Sequence, residues 1–157
     1  MFTFPVIEAI IRESDLNHRI KERATRIFFR LAEAEARVHG KRLEEIHFHE
    51  VGAVDAIVDV AGTCIGLELL GIERILASPL NLGKGLVKSS HGVIPVPVPA
   101  TLELLKGIPV YNNEIEGELV TPTGAAILST LCEGFGEIPC FLIERIGYGA
   151  GTRDYPD

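Results

Sequence analysis

Few stretches of this chain limit its fold as tightly as Ala53 to Leu70. Placed on a helix, Val54, Ile57, Val58, Val60, Ile65, Leu67, Leu69 and Leu70 spread over most of the circumference. A helix that is apolar nearly all round belongs inside a protein, between layers. Asp55, Asp59 and Glu68 interrupt the run, so it reads as a core helix and not as a membrane span. Gly62 and Gly66 add a smooth patch that another backbone can approach closely.

The flanking segments supply the layers. Ile46 to His49 alternate apolar and polar, as a short strand does, and Glu73 to Ser78 is strand-like. Strand, helix, strand suggests a crossover unit. The expected fold class is therefore α/β, with mixed α+β as the alternative: about three to five helices packed on a small mixed sheet. After a short apolar segment from Phe4 to Ile11, a scaffold helix is expected, with Ile20, Ala24, Ile27, Phe28, Leu31 and Val38 forming one stripe. Asp15 is its expected N-cap and Gly40 its stop, and Lys21, Arg23, Glu33 and Arg37 should face water. Leu86 to Ile94 reads as a strand or ribbon. Pro95, Pro97 and Pro99 then make an extended arm that enters a helix from Ala100 to Lys106, closed by Gly107. A strand near Val110 follows. Thr121 and Pro122 cap and open a helix to about Cys132, and Ile143 to Tyr148 is strand-like.

Composition narrows the function. The 157 residues are 46% hydrophobic and 24% charged, enough for a real core and unlike a disordered chain. A formal net charge of −7 argues against nucleic-acid binding, which needs clustered Lys and Arg. Cys64, Cys132 and Cys140 are odd in number and lack C-x-x-C spacing. A disulfide framework is not expected, all three fit core positions, and a reducing, cytoplasmic setting is the default. The opening residues lack a charged n-region, apolar core and small-residue cleavage site, so no secretory signal is expected.

His47 and His49 are the sharpest chemical feature. Two apart on a strand, they point to one face about 6.6 Å from each other. Imidazole suits nickel, zinc and copper, and Glu50 and Asp55 stand ready to fill further positions. The blander alternative is a pair of exposed or hydrogen-bonded strand histidines. Asp55 and Asp59 share a helix face. Asp55 fits a metal role or simply the first-turn dipole, and Asp59 a metal role or an ion pair with an arginine such as Arg74. His91, in the polar turn Ser89-Ser90-His91-Gly92 near Lys84 and Lys88, is a further ligand, an acid-base group or a solvated loop residue. His18 and His39 are expected at the surface. Thr121 to Gly124 offers helix N-terminal N–H groups to a phosphate, or merely a capped helix. Gly147, Gly149 and Gly151 do not open a helix and so are no dinucleotide fingerprint.

Four motifs in order resemble the nickel-insertion proteins that mature the lactate racemase cofactor. They are His47-Phe48-His49-Glu50-Val51-Gly52-Ala53-Val54-Asp55-Ala56-Ile57-Val58-Asp59; Ser90-His91-Gly92-Val93-Ile94-Pro95-Val96-Pro97; Glu118-Leu119-Val120-Thr121-Pro122-Thr123-Gly124-Ala125-Ala126; and Tyr148-Gly149-Ala150-Gly151-Thr152-Arg153-Asp154. The resemblance implies a CTP-dependent cyclometallase of the lyase class. Such an enzyme places nickel into pyridinium-3,5-bisthiocarboxylic acid mononucleotide, making one nickel–carbon and two nickel–sulfur bonds. By that likeness His47, His49, Glu50, Asp55 and His91 handle the metal. Asp59, Lys84 and Lys88 are secondary site candidates. Thr121, Thr123 and Gly124 hold the substrate phosphate. A lactate racemase-type apoenzyme would accept the product, and no nucleic acid or membrane is implied.

The chain departs from the family pattern in two ways. An acidic Ser-Gly-Asp-Met type segment ahead of the first helix is not present, and the chain stops short of the C-terminal domain credited with CTP and its Mg or Mn. Residues 1–157 are thus expected to be a single fragment, inactive alone. An exposed sheet edge would favour a homo-oligomer. The rival readings are a nickel-binding or metallochaperone module with no chemistry of its own, and a purely structural histidine strand.

Overall fold

The computed structural model describes residues 2–48, 53–89, 92–137, 139–149 and 151. The segment from Phe4, expected only to be apolar, is helix α1 (Phe4–Glu13). Phe4, Ile7 and Ile11 recur at helical steps and are buried, and Pro5 sits where a missing N–H costs nothing. Helix α2 (His18–His39) is the scaffold predicted from its stripe. Ile20, Ala24, Ile27, Phe28 and Leu31 are all buried, and Gly40 closes the helix in the left-handed region at φ 60°.

Three details of α2 differ from expectation. Asn17, not Asp15, is the N-cap, accepting a hydrogen bond from the Ile20 N–H at 2.9 Å. An amide caps as well as a carboxylate, and the position was set by where α1 ends. Arg23, expected in water, lies mostly covered beside Glu68 at 3.8 Å. Val38, at the end of the stripe, is exposed.

Helix α2 is the hub: α1, α3 (Ala53–Leu69), α4 (Pro99–Leu104) and α5 (Pro122–Leu131) all pack on it. Arg30 ties three of these helices together, donating from Nε to Ser129 Oγ at 2.9 Å and from Nη2 to the Leu104 carbonyl at 3.4 Å. The buried Thr101 hydroxyl donates to the Val120 carbonyl at 3.4 Å, holding α4 to the chain entering α5.

The strands form short two-stranded ladders. Leu76 to Ser89 runs in short strand pieces, β1 (Leu76–Ala77), β2 (Leu80–Asn81), β3 (Gly83–Lys84) and β4 (Leu86–Ser89), and β5 (Gly92–Pro95) follows. Later segments return to them: β6 (Val110–Tyr111) lies parallel to β2, β7 (Gly117–Glu118) antiparallel to β3, and β8 (Gly134–Phe135) parallel to β1. Strands β4 and β5 pair with each other, Val87 opposite Ile94, which makes the predicted ribbon a hairpin. The fold is mixed α/β, with five helices and small sheets of short strands among the described residues.

Three larger expectations are corrected. Among the described residues the His47 segment and β1 share no ladder, so they do not form a crossover unit: His47 bridges Thr3, and β1 pairs with β8. Helix α3 is not enclosed. Ala56, Val60 and Cys64 are buried, while Val54, Val58, Leu69 and Leu70 stand in solvent. Periodicity reports how much apolar surface a helix has but not how many layers the rest of the chain can lay over it; here packing neighbours cover one side only. Finally, Ile143 to Tyr148 forms no strand, and Ile143, Ile146 and Tyr148 are exposed. A β-type sequence becomes a strand only when an edge is within reach to take its hydrogen bonds.

Candidate functional site

The histidine segment begins as the alternation predicts. Ile46 and Phe48 are buried and His47 between them is exposed. The Phe48 ring meets Phe28 of α2 edge to face, with centroids 6.2 Å apart at 72°, and its N–H donates to the Phe2 carbonyl at 3.2 Å. The backbone carrying His47 is thus pinned on one side by the core and on the other by the N-terminal residues. His49, Glu50 and His91 lie outside the described residues.

Asp55 is in the first turn of α3 and exposed. Asp59 is exposed one turn on, and the expected pairing with Arg74 is not made, because Arg74 Nε donates to Glu133 at 2.9 Å. Both carboxylates are therefore solvated and carry no desolvation penalty that would call for a counter-ion. Among the described residues no three His, Cys, Asp or Glu side chains gather closely enough to hold a metal ion.

Lys84 lies on β3 with its ammonium paired to Glu114, a contact that raises the lysine's pKa and lowers the glutamate's. Lys88 is exposed on β4, opposite Val93. His18 is exposed as predicted, whereas His39 is half-buried, with Nε2 3.3 Å from the buried carboxylate of Glu35 one turn earlier.

The cap on α5 forms as predicted, and it limits what the helix can offer a phosphate. Thr121 Oγ1 accepts from the Gly124 N–H at 3.2 Å, and the Ala125 N–H donates to the Thr121 carbonyl at 2.8 Å. Pro122 has no N–H. Thr123 keeps the one first-turn N–H without a partner among the described residues. Replacing Thr121 by alanine should cost about 1 kcal/mol, the usual worth of such a cap. A urea titration will show this, with Thr121→Ser close to wild type; equal midpoints for all three proteins would mean that the cap contributes nothing.

The cysteines separate by depth. Cys64 is buried and Cys132 half-buried, and burial pushes both thiols above their ordinary pKa. Cys140, expected to fit the core, is exposed. None stands near the histidine segment in sequence. A surface groove of about 530 Å³ lies between α1, α2 and the end of α5, lined among others by Phe4, Arg26, Phe29, Arg30 and Thr130. None of the candidate metal- or phosphate-binding residues lines it. The i, i+4 pair Arg26 and Arg30 on the polar side of the α2 stripe was the available signal.

No helix among the described residues is long and apolar enough to cross a membrane. No solved structure matches the chain. A pyridinium-3,5-bisthiocarboxylic acid mononucleotide nickel insertion protein of Desulfitobacterium hafniense is 57% identical over 148 residues, 94% of this chain and 37% of that protein. Putative nickel insertion proteins of Geobacter metallireducens and Dictyoglomus thermophilum are 56% and 54% identical, over 96% and 93% of this chain and 39% and 38% of their own lengths. The chain thus spans well under half the length of these relatives. The model of the nickel insertion protein family matches residues 2–157. With nearly the whole chain inside that match, it belongs to the nickel insertion protein family.

Proposed function

We propose that this chain is the metal- and substrate-handling part of a CTP-dependent cyclometallase that inserts nickel into pyridinium-3,5-bisthiocarboxylic acid mononucleotide. The supporting observation is the presentation of His47: an exposed imidazole on a backbone held by two buried neighbours, Ile46 and Phe48, a few residues before the solvated Asp55. In this reading nickel is cargo. His47 and His49 receive it and Glu50, Asp55 and His91 complete its coordination, with Asp59, Lys84 and Lys88 as secondary site candidates. Nickel then replaces a proton on the pyridinium ring and takes the two flanking thiocarboxylate sulfurs, while the imidazoles it leaves are natural acceptors for that proton. Thr121, Thr123 and Gly124 face the mononucleotide phosphate. CTP, with its Mg or Mn, is assigned to no residue of this chain, and the product goes to a lactate racemase-type apoenzyme in the cytoplasm.

One observation favours a second reading, a nickel-binding or metallochaperone module. The Gly124 N–H already serves the Thr121 cap, which leaves little of α5 for a phosphate.

Calorimetric titration separates the possibilities. Nickel should bind the wild-type chain, and His47→Ala with His49→Ala should weaken binding at least about a hundredfold, since two imidazole ligands are removed. Equal affinity in both proteins, or none in the wild type, would sink both readings. Retention of the pyridinium mononucleotide supports the enzyme part over the module.

A further inference from the structure

The groove between α1, α2 and the end of α5 carries charges that the fold itself does not use. Arg26, Glu8 and Glu33 all line it, yet none of the three makes an ion pair among the described residues. Arg30, the fourth charge, is fixed in place. Its Nε and Nη2 serve Ser129 and the Leu104 carbonyl, and its Nη1 has no partner among the described residues. Arg26 and Arg30 are moreover like charges at i, i+4, a mildly unfavourable arrangement that packing does not ask of the exposed Arg26. Two aromatic rings line the same groove. Phe4 is buried and Phe29 is 44% exposed, edge to face with centroids 5.7 Å apart. The volume of about 530 Å³ falls in the range of small-ligand sites, about 300–1,000 Å³.

The charges define what fits. A simple anion drawn to the arginines would meet Glu8 and Glu33, and a simple cation drawn to the glutamates would meet the arginines. A flat molecule carrying both signs satisfies all four. A pyridinium ring bearing two thiocarboxylates is such a molecule: its quaternary nitrogen is cationic and each thiocarboxylate anionic. Guanidinium forks suit the anionic groups, while a cationic ring suits an aromatic face and a carboxylate. The groove also begins close to His47. Phe4 follows Thr3, which bridges His47, so the Cα atoms of Phe4 and His47 lie within about 10 Å.

Given the substrate class put forward above, we propose that this groove seats the pyridinium ring. Its thiocarboxylates lie on Arg26 and Arg30, its cationic nitrogen faces Glu8 and Glu33, and Phe29 packs on the ring. The ring, not the phosphate, is what the groove takes.

Two metal-free probes test this. N-methylpyridinium-3,5-dicarboxylate keeps the cationic nitrogen and two anions but has no sulfur, ribose or phosphate; benzene-1,3-dicarboxylate keeps only the anions. Each is titrated into the isotope-labelled 157-residue chain and followed by NMR in metal-free buffer. Amide shifts should concentrate in residues 4–8, 25–33 and 129–130, with the pyridinium probe bound about tenfold more tightly than the benzene one. Arg26→Ala should weaken both probes about tenfold, since a charge-assisted hydrogen bond is lost. Glu8→Gln combined with Glu33→Gln should weaken only the pyridinium probe and so abolish the preference. Circular dichroism checks that the variants keep their helices. The proposal is overturned by an absence of saturable shifts, by shifts centred elsewhere, by equal affinity for the two probes, or by indifference of either variant. Nickel takes no part in this experiment, so the two ideas fail separately. Nickel binding without probe binding strikes the groove alone, and probe binding without nickel binding strikes the metal reading alone.

Discussion

Truncating Phe28 to alanine should cost about 3–5 kcal/mol, the usual range for a large aromatic removed from a packed interior. Phe28 is 1% exposed at the centre of α2, among Ile27, Leu31 and the residues of the helices packed on that hub. At about 2–4 °C per kcal/mol for a domain of this size, the melting point should fall by about 10 °C. The same ring braces Phe48, so the effect reaches the segment that presents His47. Nickel affinity should therefore weaken in Phe28→Ala even at temperatures where the protein remains folded, through a less rigid backbone under the imidazoles. Val38→Ala, at the exposed end of the same stripe, should change stability by less than about 0.5 kcal/mol. Chemical denaturation of both variants measures the contrast. A loss under about 1 kcal/mol for Phe28→Ala would show that α2 is not the packing centre.

Gly83→Ala should be nearly as damaging although it removes no contact. Gly83 has φ +73°, where an L side chain is strained, and it pairs across the ladder with Glu118. A Cβ there would run into the Gly117 carbonyl oxygen and come within 3.0 Å of Leu119 Cγ. The obstacle is mainly backbone and cannot swing aside as a flexible side chain could. The expected loss is about 3 kcal/mol, combining a positive-φ penalty with separation of β3 from β7. Because this ladder also carries Lys84, the variant should disturb the Lys84–Glu114 pair. Thermal unfolding reads the loss, and a melting point within 2–3 °C of wild type would mean that the ladder accommodates the methyl group.

The sequence motifs differ in how far they carried. The buried alternation of Ile46 and Phe48 around an exposed His47 was readable from residue type, because a strand's period of two sorts its sides whatever it pairs with. What such a pattern pairs with was not readable: the segment meets Thr3, and β1 meets β8. The ion pair with Arg74, one of two readings offered for Asp59, is not made for a similar reason. Arg74 pairs instead with Glu133, brought beside it by the β1–β8 ladder.

From sequence alone came whatever neighbouring residues decide among themselves. The stripe and left-handed Gly40 stop of α2, the Thr121 cap with Pro122 behind it, and the ribbon that became β4 and β5 are of this kind, because each rests on contacts within a few positions of the chain. Only the tertiary structure decided which surfaces found a cover. The open side of helix α3 and the segment from Phe141 to Tyr148 carry the same apolar signal as the core, yet both face water, since burial depends on what distant parts of the chain can bring to a surface and not on how strongly that surface avoids solvent.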